Sequence, residues 1–204
     1  MAEAGVRGER PLVVKVGGSI AETGRLTSVL EMIAAARVPL VVVPGGGPFA
    51  DAVRKLQPEL QFSDAVAHRI AMLAMEQMAE CMVSLQAGLK IARSLDDISE
   101  AVMDGQIPVW APLQMIGNDE TIAANWSATS DSLSARLAEL LDTRLVLLKS
   151  VSVDGTTSAR ELALQGVVDR LFPEIVARAE LSWSIFGPGD NVALSALLAG
   201  EGTA

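Results

Sequence analysis

The sequence predicts an α/β sandwich around a mostly parallel sheet. Three observations carry this. Short Val-rich runs alternate with longer stretches of helical spacing along all 204 residues. The runs lack polar alternation, which suits strands covered on both faces. Half the residues are hydrophobic, yet there are only 4 Phe, 3 Trp and no Tyr. The core is therefore built from Val, Leu, Ile, Ala and Met. The length fits a single domain, 1–204, with a full core.

The elements follow in order. "PLVVKV" (11–16) is a strand, and 25–37 is a helix with Leu26, Val29, Leu30, Ile33 and Ala34 at helical spacing. "PLVVVP" (39–44) is the second strand. "PFADAVRKLQ" opens a helix with Pro48 in its first turn. Residues 64–91 read as one long helix, capped by Ser63 or Asp64. A short helix at 97–104 and a strand at 107–113 follow. "SDSLSARLAELL" (130–141) is a helix with Ser130 as its expected cap, and "RLVLLK" (144–149) is a strand. "LSWSIF" (181–186) is the last strand, leading through "GPGDN" into a helix at 191–199.

Two glycine clusters each follow a strand: Gly17 and Gly18 with Ser19 after the first, and Gly45, Gly46 and Gly47 after the second. A strand, a glycine turn and a helix together present backbone N–H groups to an anion. Neither cluster has the P-loop or dinucleotide-binding spacing. A single such cluster is as consistent with a tight turn. Two after adjacent strands favour a phosphate site. The chain has four lysines, and two of them, Lys15 and Lys149, end Val/Leu runs. Lysines at the carboxyl ends of buried parallel strands point into the ligand crevice. In phosphoryl transfer the protein positions the reactants and neutralises charge, which two lysines and glycine amides can do. Lys55 and Lys90 read as surface lysines on helices.

Other residues admit two readings. Asp131 is either an acid complementing the start of its helix or the group that holds both lysines. Asp154 and Gly155 form either a plain turn or a nucleotide-side loop. His68, the only histidine, and Arg69 sit in the first turn of the long helix, as cap or surface residues or as contacts to an anionic substrate. Arg54, about two helical turns past Gly47, is either a solvated helix residue or an acceptor contact. Trp126 packs under a loop or lines the site. Met72, Met75, Met78 and Met82 lie along the long helix, and its broad apolar surface predicts a homodimer contact there. Cys81 reads as an inert small hydrophobe.

Composition excludes some classes. The formal net charge of −9 argues against nucleic acid and anionic membrane as general partners. One cysteine excludes an intrachain disulfide and a cysteine-rich zinc site. No stretch approaches the roughly 20 apolar residues of a membrane helix. The polar N-terminus does not read as a signal peptide, so the expectation is a cytoplasmic protein.

Taken together, "VVKVGGSI", "VVVPGGGPFADAVR", "TSDSLSARLAELL", "LVLLKSVSVDG" and "GEGT" resemble the amino acid kinase family. The resemblance implies a three-layer α/β/α sandwich and transfer of the ATP γ-phosphoryl group, with Mg2+, to a carboxylate, carbamate or phosphate. It implies that Lys15 and Lys149 stabilise the moving group, that Asp131 organises them, and that the glycines bind phosphate. "SDAVAHRIAMLAMEQMAE" with "NWSATSDS" looks like a small branch of that family. That branch phosphorylates an aminomethylfuran-methanol phosphate to its diphosphate in methanofuran-type cofactor synthesis. One departure stands out: Ser152 occupies a position where many family members carry an acid. The alternatives are a non-catalytic nucleotide-binding or storage subunit on the same fold, and a uridylate-kinase-like enzyme. A phosphate acceptor is ionised near pH 7 and needs no general base, which is compatible with a single histidine.

Overall fold

The computed structural model describes residues 10–201. Gly202 and Thr203 of the "GEGT" segment therefore lie outside the described residues. Six strands form one sheet: β1 (Leu12–Val16), β2 (Leu40–Pro44), β3 (Leu89–Ala92), β4 (Ile107–Trp110), β5 (Leu145–Leu148) and β6 (Trp183–Phe186). Their order is β3-β4-β2-β1-β5-β6, and every pairing is parallel. All strand carboxyl ends therefore share one edge. The glycine turns leave β1 and β2 there as neighbours.

The pleat sorts side chains to two cores. Val13, Val41, Val43, Leu145 and Leu147 pack with α6 (Ser130–Leu141) and α8 (Phe172–Arg178). Val14, Val16, Val42, Val146 and Leu148 pack with α1 (Leu26–Ala34) and α9 (Asn191–Leu198). The sheet is thus covered on both faces, as continuous apolar strands require. Lys15 is two residues beyond Val13, and Lys149 two beyond Leu147, so alternation carries both to the α6 face. Register reinforces this, because Lys15 pairs with Leu147.

Several boundaries differ from the sequence expectation. The long helix, α3, ends at Leu85 and is capped at its start by Ser63, whose side chain accepts from Val66 N. Gly88, with φ +88°, turns the chain into β3. "LKIA" was hidden because Leu, Lys and Ala also continue a helical pattern. Lys90 is consequently on an edge strand, not a helix, and is exposed. β4 stops at Trp110, and Leu113–Ile116 forms a single helical turn, α5. The helix expected at 97–104 is α4 (Leu95–Met103), fixed by a Ser94–Asp97 capping box. A 3₁₀ segment (Gly18–Thr23), α7 (Ala159–Leu164) and α8 have no counterpart in the sequence reading. They are too short for periodicity to reveal.

The methionine stripe is core. Met72, Met75, Met78 and Met82 are each no more than 3% exposed. They fill the space between α3, the sheet and α2 (Gly47–Leu60), so a partner chain is not needed to cover them. Cys81 is half-buried and free. Among the described residues no helix is long and apolar enough to cross a membrane.

Candidate active site

The two glycine turns are packed backbone against backbone. A Cβ on Gly18 would lie 2.3 Å from Gly47 N, and one on Gly45 would lie 2.3 Å from Gly18 N. Only glycine permits this approach. Gly17 N donates to Leu148 O and Gly45 N to Val16 O, which ties both turns to the sheet edge. Gly46 is confined by its own helix. Its φ is an ordinary −70°, and a Cβ there would meet the Ala50 methyl at 2.5 Å, not open phosphate space. Gly47 takes the left-handed conformation, φ +52°. The 3₁₀ segment and α2 both begin at this junction. Their first amides have no intrahelical acceptor and form a ready anion site. Gly45→Ala should therefore lose stability and anion binding together, because the added carbon pushes the turns apart. An unchanged melting temperature would reject this packing role.

Beneath the turns lies an ion cluster. Asp131 Oδ1 is 2.7 Å from Lys15 Nζ and 2.7 Å from Lys149 Nζ, and Asp131 Oδ2 accepts from Lys149 Nζ at 2.8 Å. All three side chains are at most 10% exposed. Burial alone would raise the Asp131 carboxyl, but the two ammoniums overcome it and hold it at about 2. Burial, and then the like charge of Lys15, lower Lys149 to about 8 against the opposing pull of Asp131. Two ammoniums share one carboxylate, and the more distant Asp169 carboxylate also acts on Lys149.

Asp169 was not flagged by the sequence, and it positions this cluster. Its carboxylate accepts from Thr129 N and Oγ1 (both 2.8 Å), Ser132 N (3.0 Å), Ser132 Oγ and Phe172 N (3.0 Å). It caps α6 from outside the helix. The N-cap residue is Thr129, not Ser130, and makes no side-chain cap of its own. Asp131 is thereby free to turn away from the helix amides toward the lysines. Burial and the negative charge of Asp131 raise the Asp169 carboxyl. "VVDRLFPE" carries no local signal for this role, because the capped helix starts 40 residues upstream.

A cavity of about 220 Å³ opens beside the turns, between α2, α3 and the loop before α6. Gly18, Ser19, Gly46 and Gly47 form one side, and Met72, Met75 and Leu133 give it an apolar floor. At its rim Arg54 lies 4.5 Å over the Trp126 ring and pairs with Asp51 at 2.7 Å. Trp126 donates from Nε1 to Gln57 Oε1, fixing the indole as a wall. His68 lines this cavity and is buried, unlike a surface cap residue. Burial lowers its pKa against hydrogen bonds to the Asn125 and Ala128 backbone, so it is an uncharged tie between α3 and the loop.

Residues 10–155 match the pattern described as the amino acid kinase family. The chain belongs to that family. A curated relative, the [5-(aminomethyl)furan-3-yl]methyl phosphate kinase of Methanocaldococcus jannaschii, is 29% identical over 145 residues. The match covers 70% of this chain and 66% of that protein, just under two thirds of its length. The uridylate kinase of Archaeoglobus fulgidus has the same fold, with TM-score 0.67 at 19% identity, over 94% of this chain and 96% of that one. The UMP kinase of Ureaplasma parvum aligns with TM-score 0.61 at 15% identity, over 88% and 90%. The three-layer α/β/α architecture is thus that of the family.

Not every candidate residue reaches the site. Arg69 is exposed and lines neither the cavity nor the cleft described below; its Nη1 lies near Gly117. Asp154 and Gly155 form a self-contained turn in which Asp154 Oδ1 accepts from Thr156 N and Oγ1. They line neither cavity nor cleft. Ser19 Oγ is 2.7 Å from Ser150 Oγ, linking the first glycine turn to the residue after Lys149. On the other side of the cluster, Lys149 lines a narrow cleft with Arg25, Gly187 and Asp190.

Proposed function

We propose that this chain is an ATP-dependent phosphotransferase acting on a small phosphate ester such as [5-(aminomethyl)furan-3-yl]methyl phosphate, which becomes a diphosphate. The observation that carries this is the buried Lys15–Asp131–Lys149 cluster under two interlocked glycine turns. Two lysine ammoniums and free helix-start amides fit a nucleotide's phosphates. ATP, when bound, supplies the phosphoryl group. Lys15 and Lys149 then stabilise charge on the moving group, Asp131 holds both ammoniums in place, and the amides of Gly18, Ser19, Gly46 and Gly47 bind phosphate oxygens. A phosphate monoester has its second pKa near 6 and attacks without a base. Uncharged His68 suits that.

Acceptor size supports a small ester. The cavity is smaller than the about 300–1,000 Å³ pockets of drug-sized ligands. Arg54, held over Trp126, is the acceptor-side cation in this reading. Magnesium would ride on the phosphates with water and at most one or two carboxylates, so it needs no preformed cage. Among the described residues no three His, Cys, Asp or Glu side chains cluster as one. A homodimer also remains our proposal, with its contact moved from the buried methionines to exposed Val66 and Leu73 on α3.

The test is ADP release with a panel of acceptors. The small phosphate ester should be turned over faster than UMP or any carboxylate. Arg54→Ala should raise the acceptor KM about tenfold, roughly 1.4 kcal/mol, and leave the ATP KM in place. Preference for UMP, or no ADP release with any acceptor, would reject the reading.

The Lys149 pKa also sets a pH limit. Its ammonium is charged below about pH 8 and neutral above it. In the free enzyme, kcat/KM should therefore fall as pH rises through about 8. Bound phosphates favour the charged form, so the alkaline limb of kcat should lie higher. A flat kcat/KM from pH 7 to 9.5 would contradict a charged Lys149.

A further inference from the structure

The cavity beside the glycine turns carries charge of both signs. Gly18 and Gly47 line one side, Met72, Met75 and Leu133 form the floor, and buried His68 is uncharged. Asp51 supplies the one carboxylate among the described residues that line it. It stands past the first turn of α2, which has no acid, so it does not complement the helix-start amides. Its Oδ1 accepts from Arg54 Nη1 at 2.7 Å, and among the described residues its Oδ2 accepts no hydrogen bond. About half of the side chain stays open to solvent. A carboxylate at the mouth of a cavity that receives a phosphate dianion opposes it. Nor does Arg54 need the acid to stay at the rim, because the Trp126 ring holds it at 4.5 Å and Gln57 fixes that ring. The acid is accounted for if the acceptor brings a cation of its own.

We propose that Asp51 is a specificity-determining residue that binds a primary ammonium on the acceptor, so that the site selects phosphate esters which also carry an amine. This rests on the phosphotransferase reading above and narrows its acceptor class. A primary alkylamine is charged at pH 7. The cavity lining offers it a free carboxylate oxygen, Asp51 Oδ2, whereas Arg54 already covers a face of the Trp126 ring. The two ends of such an acceptor then meet opposite partners. Its phosphate lies toward the glycine amides and Arg54, its ammonium toward Asp51, and its apolar body over Met72, Met75 and Leu133. An ester with the same phosphate but no amine meets the repulsion of Asp51 and gains nothing from it, which is how the acid discriminates. An ion pair as exposed as Asp51–Arg54 contributes little to folding, so a substitution at Asp51 reads recognition.

The test is ADP release with two acceptors that differ only in the amine: the aminomethyl ester named above, and its analogue with methyl in place of aminomethyl. Wild type should favour the amine in kcat/KM by at least about tenfold, the worth of one charge-assisted hydrogen bond. Asp51→Asn should remove most of that preference, and Asp51→Glu, which keeps the charge, should restore part of it. The ratio between the acceptors is the decisive readout, because a role confined to steadying Arg54 would weaken both alike. Equal loss on both acceptors in Asp51→Asn would overturn the inference and leave the kinase reading standing. So would a wild type that turns over the two esters equally well. A wild type that releases no ADP with either ester would overturn both.

Discussion

Asp131→Ala is expected to cost about 3–5 kcal/mol of stability, the usual penalty for stripping the partner from a buried charge. Here the penalty falls on two ammoniums at once. Lys15 and Lys149 are both within 2.7 Å of the same carboxylate oxygen, with little water to replace it. Left alone, they repel each other in a medium that screens poorly. The total stability of a domain is about 5–15 kcal/mol, so a large fraction is at stake. Urea denaturation gives the loss directly. If the cause is orphaned charge, Lys149→Met should recover part of it in the double variant. An additive double variant would contradict that cause. The acid limb follows from the same pair. The carboxyl stands at about 2 in the folded chain against 3.8 ordinarily. Its contribution is complete above about pH 4 and is lost as pH falls toward 2.

Lys15→Ala and Lys149→Ala should each lower kcat by at least two orders of magnitude while the protein stays folded. Losing one charge-stabilising donor typically costs about 2.7–4 kcal/mol of transition-state binding. Folding survives because the remaining lysine still pairs with Asp131, whereas Asp131→Ala strips both ammoniums of that carboxylate. Steady-state kinetics on the folded variants decide the matter. Near-normal turnover in either one removes that lysine from the mechanism. The contrast between the two experiments separates organiser from charge stabiliser: the aspartate variant loses stability and rate, the lysine variants mainly rate.

Much of this was legible in the chain. Apolar runs at β1, β2 and β5 required a sheet covered on both faces, since nothing in them alternates. The glycine turns were readable because two strand ends carry them, and the lysines because they interrupt or close runs otherwise free of charge. Helix α6 was placed at Ser130–Leu141 as its periodicity indicates. β3 was not legible. Four residues on a sheet edge carry too little pattern to compete with the helix preceding them.

The tertiary structure alone decided how the parts meet. Local sequence could not say whether Asp131 served its own helix or the lysines. Asp169 settles it by capping α6 from a distant segment. Nor could spacing show that Gly18 and Gly45 are needed for each other, because a backbone contact between turns leaves no side-chain pattern. The methionines of α3 look alike to periodicity whether they face a core or a partner, and only packing assigns them to the core. Arg54 and Arg69 are both helix arginines in sequence; the fold sets one over an indole at the cavity rim and turns the other away. Local chemistry chose the residue types and the strand ends, because those depend on neighbours within a few positions. Contacts between segments tens of residues apart chose the partners, because burial and charge are properties of the assembled chain.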